Sequence, residues 1–159
     1  MIVVAGARPC KDSAGELDDP WIPMKGTWYP RPDGQPAYLR VSGGDGGDLE
    51  LKLDPDSGAM IQFVVIGAPR DVDAADQRGA AVEVIDDVVP VLDLGDLKSG
   101  GSGTTVNLTI GMTAERARGS YAVRLGGALP VRKYRCGDLV VGVTADSELC
   151  ELRVTRSAP

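Results

Sequence analysis

Asp48-Leu49-Glu50-Leu51-Lys52-Leu53, then Asp54-Pro55-Asp56-Ser57-Gly58, then Ala59-Met60-Ile61-Gln62-Phe63-Val64-Val65-Ile66 is the stretch from which the fold can be read. Leucines at 49, 51 and 53 alternate with Glu50 and Lys52, so an extended chain puts its apolar side chains on one face and its charges on the other. The Asp-Pro-Asp-Ser-Gly run supplies the residues of a tight turn. The run after it is apolar at almost every position, as a strand covered on both faces must be. The stretch therefore predicts a hairpin: a half-wet strand at 48–53 and a central strand at 59–66.

The same alternation recurs outward from this hairpin. Val106, Leu108 and Ile110 oppose Thr105, Asn107 and Thr109; Tyr121, Val123 and Leu125 oppose Ala122 and Arg124; Cys150, Leu152 and Val154 oppose Glu151 and Arg153. A second hairpin, strands 138–144 and 149–155 around Ala145-Asp146-Ser147-Glu148, repeats the first: Asp48, Leu49, Asp56 and Ser57 recur as Asp138, Leu139, Asp146 and Ser147, 90 residues on. Two readings compete, a duplicated half-sheet and a chance likeness between two hairpins. Further strands are expected near 2–5, 37–42, 80–85, 89–94, 104–111, 119–125 and 129–135. Helical signal is weak, confined to Asp71–Gly79 and Thr113–Arg116.

Residues 6–36 read differently. They carry six prolines with Trp21, Trp28 and Tyr29, and Tyr38 follows shortly after. Large rings in a stretch without periodicity either cap an open core or line a pocket or interface, so Trp21, Trp28, Tyr29 and Tyr38 are the candidate ligand- or partner-binding residues. The expected fold is all-β: one domain over 1–159, an antiparallel sandwich or closed barrel of about nine or ten strands. It carries a long irregular N-terminal loop at 6–36 and a Gly/Ser-rich loop at 95–103.

The chain has 159 residues, 17 Lys plus Arg, 23 Asp plus Glu and no histidine, for a formal charge of −6. A chain of this length buries enough surface to hold a core unaided. Lack of histidine excludes Ser-His-Asp and Cys-His catalysis and removes the usual zinc ligand. No apolar run nears the roughly 18 to 20 residues of a membrane span. The N-terminus lacks the basic region of a secretory signal, and a cytoplasmic location is expected. Cys10, Cys136 and Cys150, odd in number and without CxxC spacing, suit buried reduced thiols. Arginine outnumbers lysine twelve to five and asparagine occurs once, a bias that points to a high-GC bacterial genome.

Several motifs fail on inspection. Gly43–Asp48 has the wrong register for a calcium repeat and no second copy; Asp54–Gly58 opens like an EF-hand loop, but Val65 stands where the closing glutamate belongs. The Lys98-Ser99 loop is no P-loop. Arg132, Lys133 and Arg135 form the one basic cluster, weighed between a phosphate contact and a solvated strand face. Asp18-Asp19, Glu83 and Asp86-Asp87 are candidate acids with no partner pattern. Charge is polarised: residues 1–99 hold 18 acids and 9 bases, residues 100–159 hold 5 acids and 8 bases.

The function expected from these features is a non-catalytic binding protein, of the inhibitor or immunity type, that turns its acidic part to a basic protein partner. The alternative is a small β-barrel enzyme of specialised metabolism, a cyclase or isomerase, holding a small apolar molecule among Trp21, Trp28, Tyr29 and Tyr38. Neither metal nor cofactor is expected, and nucleic acid and membrane are not expected partners.

Overall fold

The computed structural model describes residues 1–74, 81–95 and 105–156. All regular structure in them is β: β1 (Val4–Pro9), β2 (Asp12–Glu16), β3 (Met24–Tyr29), β4 (Ala37–Ser42), β5 (Asp48–Leu53), β6 (Met60–Gly67), β7 (Arg70–Asp71), β8 (Glu83–Asp86), β9 (Val88–Leu92), β10 (Thr105–Thr109), β11 (Met112–Ala117), β12 (Ser120–Leu125), β13 (Arg132–Cys136), β14 (Leu139–Val143) and β15 (Leu149–Thr155). No helix among the described residues is long and apolar enough to cross a membrane. The two alternating hairpins fall where the sequence put them, on β5–β6 and β14–β15.

Several expectations are corrected. The described residues hold fifteen strands, not nine or ten, because short edge strands such as β7 carry no alternation to mark them. Residues 6–36 are not irregular: they contain most of β1 and all of β2 and β3. Their period was hidden because Gly15 and Gly26 take the places where core side chains would have marked it, and these two glycines are cross-strand partners. Thr113–Arg116 belongs to β11, where pairing with β12 and burial of Met112 and Ala114 override a weak local helix preference. The other weak helical stretch begins as strand at Asp71, and its residues 75–79, like 96–103 of the Gly/Ser-rich loop, lie outside the described residues.

The strands form three sheets, in the orders β1-β9, β10-β4-β5-β6-β3-β2 and β7-β11-β12-β15-β14-β13-β8. Among the described residues no closed barrel forms. The two large sheets share one plan. In the first, β2-β3-β6-β5-β4 are antiparallel neighbours and β10 joins the β4 edge in parallel; in the second, β11-β12-β15-β14-β13 are antiparallel neighbours and β8 joins the β13 edge in parallel. Each is a Greek key of three hairpin-connected strands with an earlier strand laid beside the last.

The likeness extends to register. In the first hairpin Leu49 pairs with Val65, Leu51 with Phe63 and, after a one-residue shift, Leu53 with Met60; in the second Leu139 pairs with Val154, Val141 with Leu152 and, after the same shift, Val143 with Leu149. Thr27 faces Gln62 across β3–β6, and the corresponding place across β12–β15 is held by Arg124 and Glu151. The two sheets thus repeat strand order, one parallel edge strand and one register shift, while β7 on the β11 edge and a further shift between Asp48 and Leu49 have no counterpart.

One cluster of buried side chains draws on all three sheets, including Val4 and Leu92, Leu51 and Phe63, and Leu139 and Leu152. The large sheets meet closely at the Gly15–Gly26 pair. A Cβ at Gly15 would lie 2.5 Å from Val154 Cγ1, and one at Gly26 would enter the Phe63 ring and stand 2.9 Å from Leu139 Cδ2. Only a hydrogen side chain lets the layers approach this far.

Cys10, just after β1, and Cys136, closing β13, form a disulfide with Cα atoms 6.3 Å apart at a sequence separation of 126. The expectation of three reduced thiols is thus wrong for two. The pairing is invisible in the spacing because tertiary contacts create the proximity, as where the Ser13 hydroxyl donates to the Cys136 carbonyl at 2.7 Å. Cys150 is a buried free thiol, as expected.

Candidate functional site

Turn hydrogen bonds gather four segments at one end of the molecule. Leu92 N–H donates to the Gly58 carbonyl and Asp93 N–H to that of Val3; Val4 N–H donates to the Ser147 carbonyl and Leu149 N–H to that of Ile2, all at 2.8–2.9 Å. The two equivalent Asp-Ser turns therefore flank the N-terminal segment. Beside it runs a groove of about 240 Å³ floored by Leu39, Leu53, Leu92, Leu94, Val106 and Leu108, with Met1 and Val3 exposed at its mouth. β10 forms one wall because its inward side chains are the apolar ones of the Thr-Val-Asn-Leu-Thr alternation.

One carboxylate, Asp93, lines this groove. Others stand on the segments around it: Asp54 follows the lining residue Leu53 in sequence without itself lining the groove, and Glu148 bridges to Val3 through its backbone. Asp56 and Asp146 stand on the same two turns. None of these five carboxylates is ion-paired to Lys or Arg among the described residues. Asp54 and Asp93 instead accept from groups of their own turns, Asp56 N–H at 3.1 Å and Gly95 N–H at 3.0 Å, which keeps the charge at the surface.

The four aromatic candidates are divided. Trp28 is buried, with its ring edge-to-face on Phe63 at 5.6 Å, and it lines a second cleft together with half-exposed Tyr29. Trp21 is 86% exposed, on a turn where its backbone N–H donates to Asp19 Oδ1. Tyr38 is half-buried between Thr105 and Lys52 on the outer side of the first sheet. Neither lines the Trp28–Tyr29 cleft.

On the outer face of the second sheet lies a buried ionic cluster. Glu151 is fully buried and is approached by Arg124 Nη2 at 3.0 Å, Lys133 Nζ at 3.4 Å and Arg153 Nε at 3.4 Å. Arg124 Nε also pairs with buried Glu115, which Arg153 approaches from its other side. The Arg124–Glu151 contact is close but off the line of a hydrogen bond, so both terminal nitrogens of Arg124 lack an aligned acceptor. Burial pushes the Glu151 carboxyl up, and the positive charges of Arg153, Lys133 and Arg124 outweigh it, leaving the group below the usual carboxylate range. Burial, with the neighbouring Glu151 charge, pushes the Cys150 thiol up to about 11, which makes it a poor nucleophile.

The basic cluster of the sequence is spent on neighbours: Arg132 pairs with Glu83, Arg135 with Asp86, and Lys133 with Glu151. That pairing also accounts for two of the candidate acids, while Asp18 pairs with Arg156. Sequence reasoning missed the acidic groove; its signal was present in two Asp-bearing turns of the same pattern, which the fold brings to one end. No protein-family model matches this chain, and none of the curated proteins matches it.

Proposed function

We propose that this is a non-catalytic binding protein, of the inhibitor or immunity type, that receives a basic protein partner at the acidic end. In this reading the two large sheets act as the layers of a sandwich that serves as a rigid scaffold. The observation that carries the reading is the apolar groove walled by β10, lined by Asp93 and set beside two turns whose carboxylates have no Lys or Arg partner among the described residues. Such a surface suits an extended basic segment that alternates apolar side chains, pointed into the groove, with lysine or arginine at the rim. The acids speed encounter, and the leucine-lined floor supplies burial. The Cys10–Cys136 disulfide favours an oxidising compartment over the cytoplasm expected from the sequence.

The test is titration of isotope-labelled protein with a short peptide alternating lysine and leucine, followed by amide shifts. Changes should concentrate at Met1–Val3, Leu92–Gly95 and Val106–Leu108, and affinity should fall about tenfold between roughly 50 and 300 mM salt. A glutamate–leucine peptide should leave the spectrum unchanged. Equal effects from both peptides, or shifts scattered over the surface, overturn the proposal.

A further inference from the structure

We propose that the cleft beside Trp28 and Tyr29 binds a carboxylate carried on a flat apolar body. The cleft holds about 260 Å³, separate in its lining from the acidic groove, with Trp28, Met60 and Val89 as its buried floor and Arg8 and Arg31 among its walls. In a chain of net charge −6, most arginines among the described residues are ion-paired: Arg40, Arg116, Arg124, Arg132, Arg135, Arg153 and Arg156 all face carboxylates. Arg8, Arg31, Arg70 and Arg118 make no such pair among the described residues, and of these four Arg8 and Arg31 both line this one cleft.

Asp54 also lines the cleft but forms no ion pair with either arginine; its Oδ1 accepts from Asp56 N–H at 3.1 Å and its Oδ2 from the Ser57 hydroxyl at 2.8 Å, which turns the carboxylate toward its own turn. Arg31 is held with its guanidinium carbon 5.9 Å from the centre of the Tyr29 ring. Stacking of this kind leaves the in-plane N–H fork free, and that fork matches the two oxygens of a carboxylate. Arg8 lies on β1, two residues from the disulfide at Cys10. Trp28 is fixed by Phe63. The site is thus largely formed before a ligand arrives, which lowers the entropy cost of binding. Its size suits a ring bearing a short acid, for which a Kd in the range of about 0.1 to 1 mM is reasonable.

The carboxylate has two chemical sources, a free small acid or the chain end of a peptide. In a Trp21→Phe protein, Trp28 is the remaining indole and its emission reports on the cleft. Phenylacetate should give a saturable change in emission, and phenylacetamide, equal in shape but neutral, should bind at least about tenfold more weakly. R8Q and R31Q should each weaken phenylacetate about tenfold while leaving the melting curve and the lysine–leucine titration unaltered, since both side chains are exposed and lie outside the acidic groove. Gly-Gly-Phe with a free carboxyl end binding more tightly than phenylacetate assigns the site to peptide chain ends; the reverse order assigns it to free acids. Equal binding of acid and amide, no saturable response to either, or parent-like affinity in both arginine variants overturns the proposal.

Discussion

The first and second large sheets set different residues on the same backbone plan. At the matched place where β3 meets β6 and β12 meets β15, the first sheet buries a neutral pair, with Gln62 Nε2 donating to Thr27 Oγ1 at 2.9 Å; the second buries Arg124 and Glu151 with Glu115, Lys133 and Arg153 around them. One row inward, the first sheet combines Gly26 with Phe63 where the second combines Val123 with Leu152. A pleated surface fixes which positions are neighbours and leaves their chemistry free, provided that volume and hydrogen bonding are satisfied across each pair.

The comparison breaks most severely where the two halves are tied. Cys10→Ser opens a covalent loop of more than a hundred residues and should cost about 4 kcal/mol in denaturant unfolding. The pairing itself is checked by alkylation and mass spectrometry. Native protein should take up no label, unfolded protein one at Cys150, and unfolded reduced protein three. Label on Cys10 before reduction would contradict the structure.

Glu151→Gln should cost about 3 kcal/mol, since it leaves buried Arg124 with Glu115 as its remaining carboxylate and the cluster with three cations to one anion, while Lys133 and Arg153, each one-fifth exposed, turn partly to solvent. Because folding lowers the Glu151 pKa, its stabilisation is complete above the unfolded value of about 4.3 and is lost as pH falls through the folded one. The variant should therefore flatten the acid limb of the stability–pH curve; an unchanged acid limb would show that the cluster contributes no pH-dependent stability.

Gly26→Ala should cost about 2 kcal/mol by overpacking against Phe63 and Leu139. Adding Phe63→Leu, which moves the pair toward the sizes found at Val123 and Leu152, should cost less than the two single changes summed, measured as a double-mutant cycle. Smallest is the neutral pair: Thr27→Val leaves the buried Gln62 amide without its acceptor and should cost about 1 kcal/mol, whereas Thr27→Val with Gln62→Leu should be nearly neutral. A double variant worse than the single would mean that packing, not hydrogen bonding, holds that place.

How much of this was legible in the sequence follows from what each residue advertises. β4 and β5 could be bounded to the residue because their core positions are filled by leucine, valine or alanine and their outer ones by charges or hydroxyls. β2 and β3 were hidden because their contribution at the closest approach is a missing side chain, and absence has no period. The likeness of the two hairpins was visible in four identities, but its extent lies in register and bulge placement, which only pairing reveals. The disulfide and the acidic groove were illegible because each joins segments distant in sequence. Trp28 and Tyr29 were legible as rings and not as a cleft, since its other walls, with Arg8 among them, come from distant stretches, while Arg31 stands two residues on with nothing in the sequence to pair it with Arg8.

The parallel edge strands carry a consequence for taking the chain apart. β8, from the first part of the chain, finishes the sheet built by β11–β15, while β10, from the second part, finishes the sheet built by β2–β6. A single nick between Gly95 and Thr105 therefore yields no two independent modules. It yields a split protein whose fragments each carry the other's missing border, clasped noncovalently by the exchange and covalently through Cys10 and Cys136. Such fragments, separated by reduction and unfolding, are a ready complementation pair in which recovery of the fold reports that the two have met.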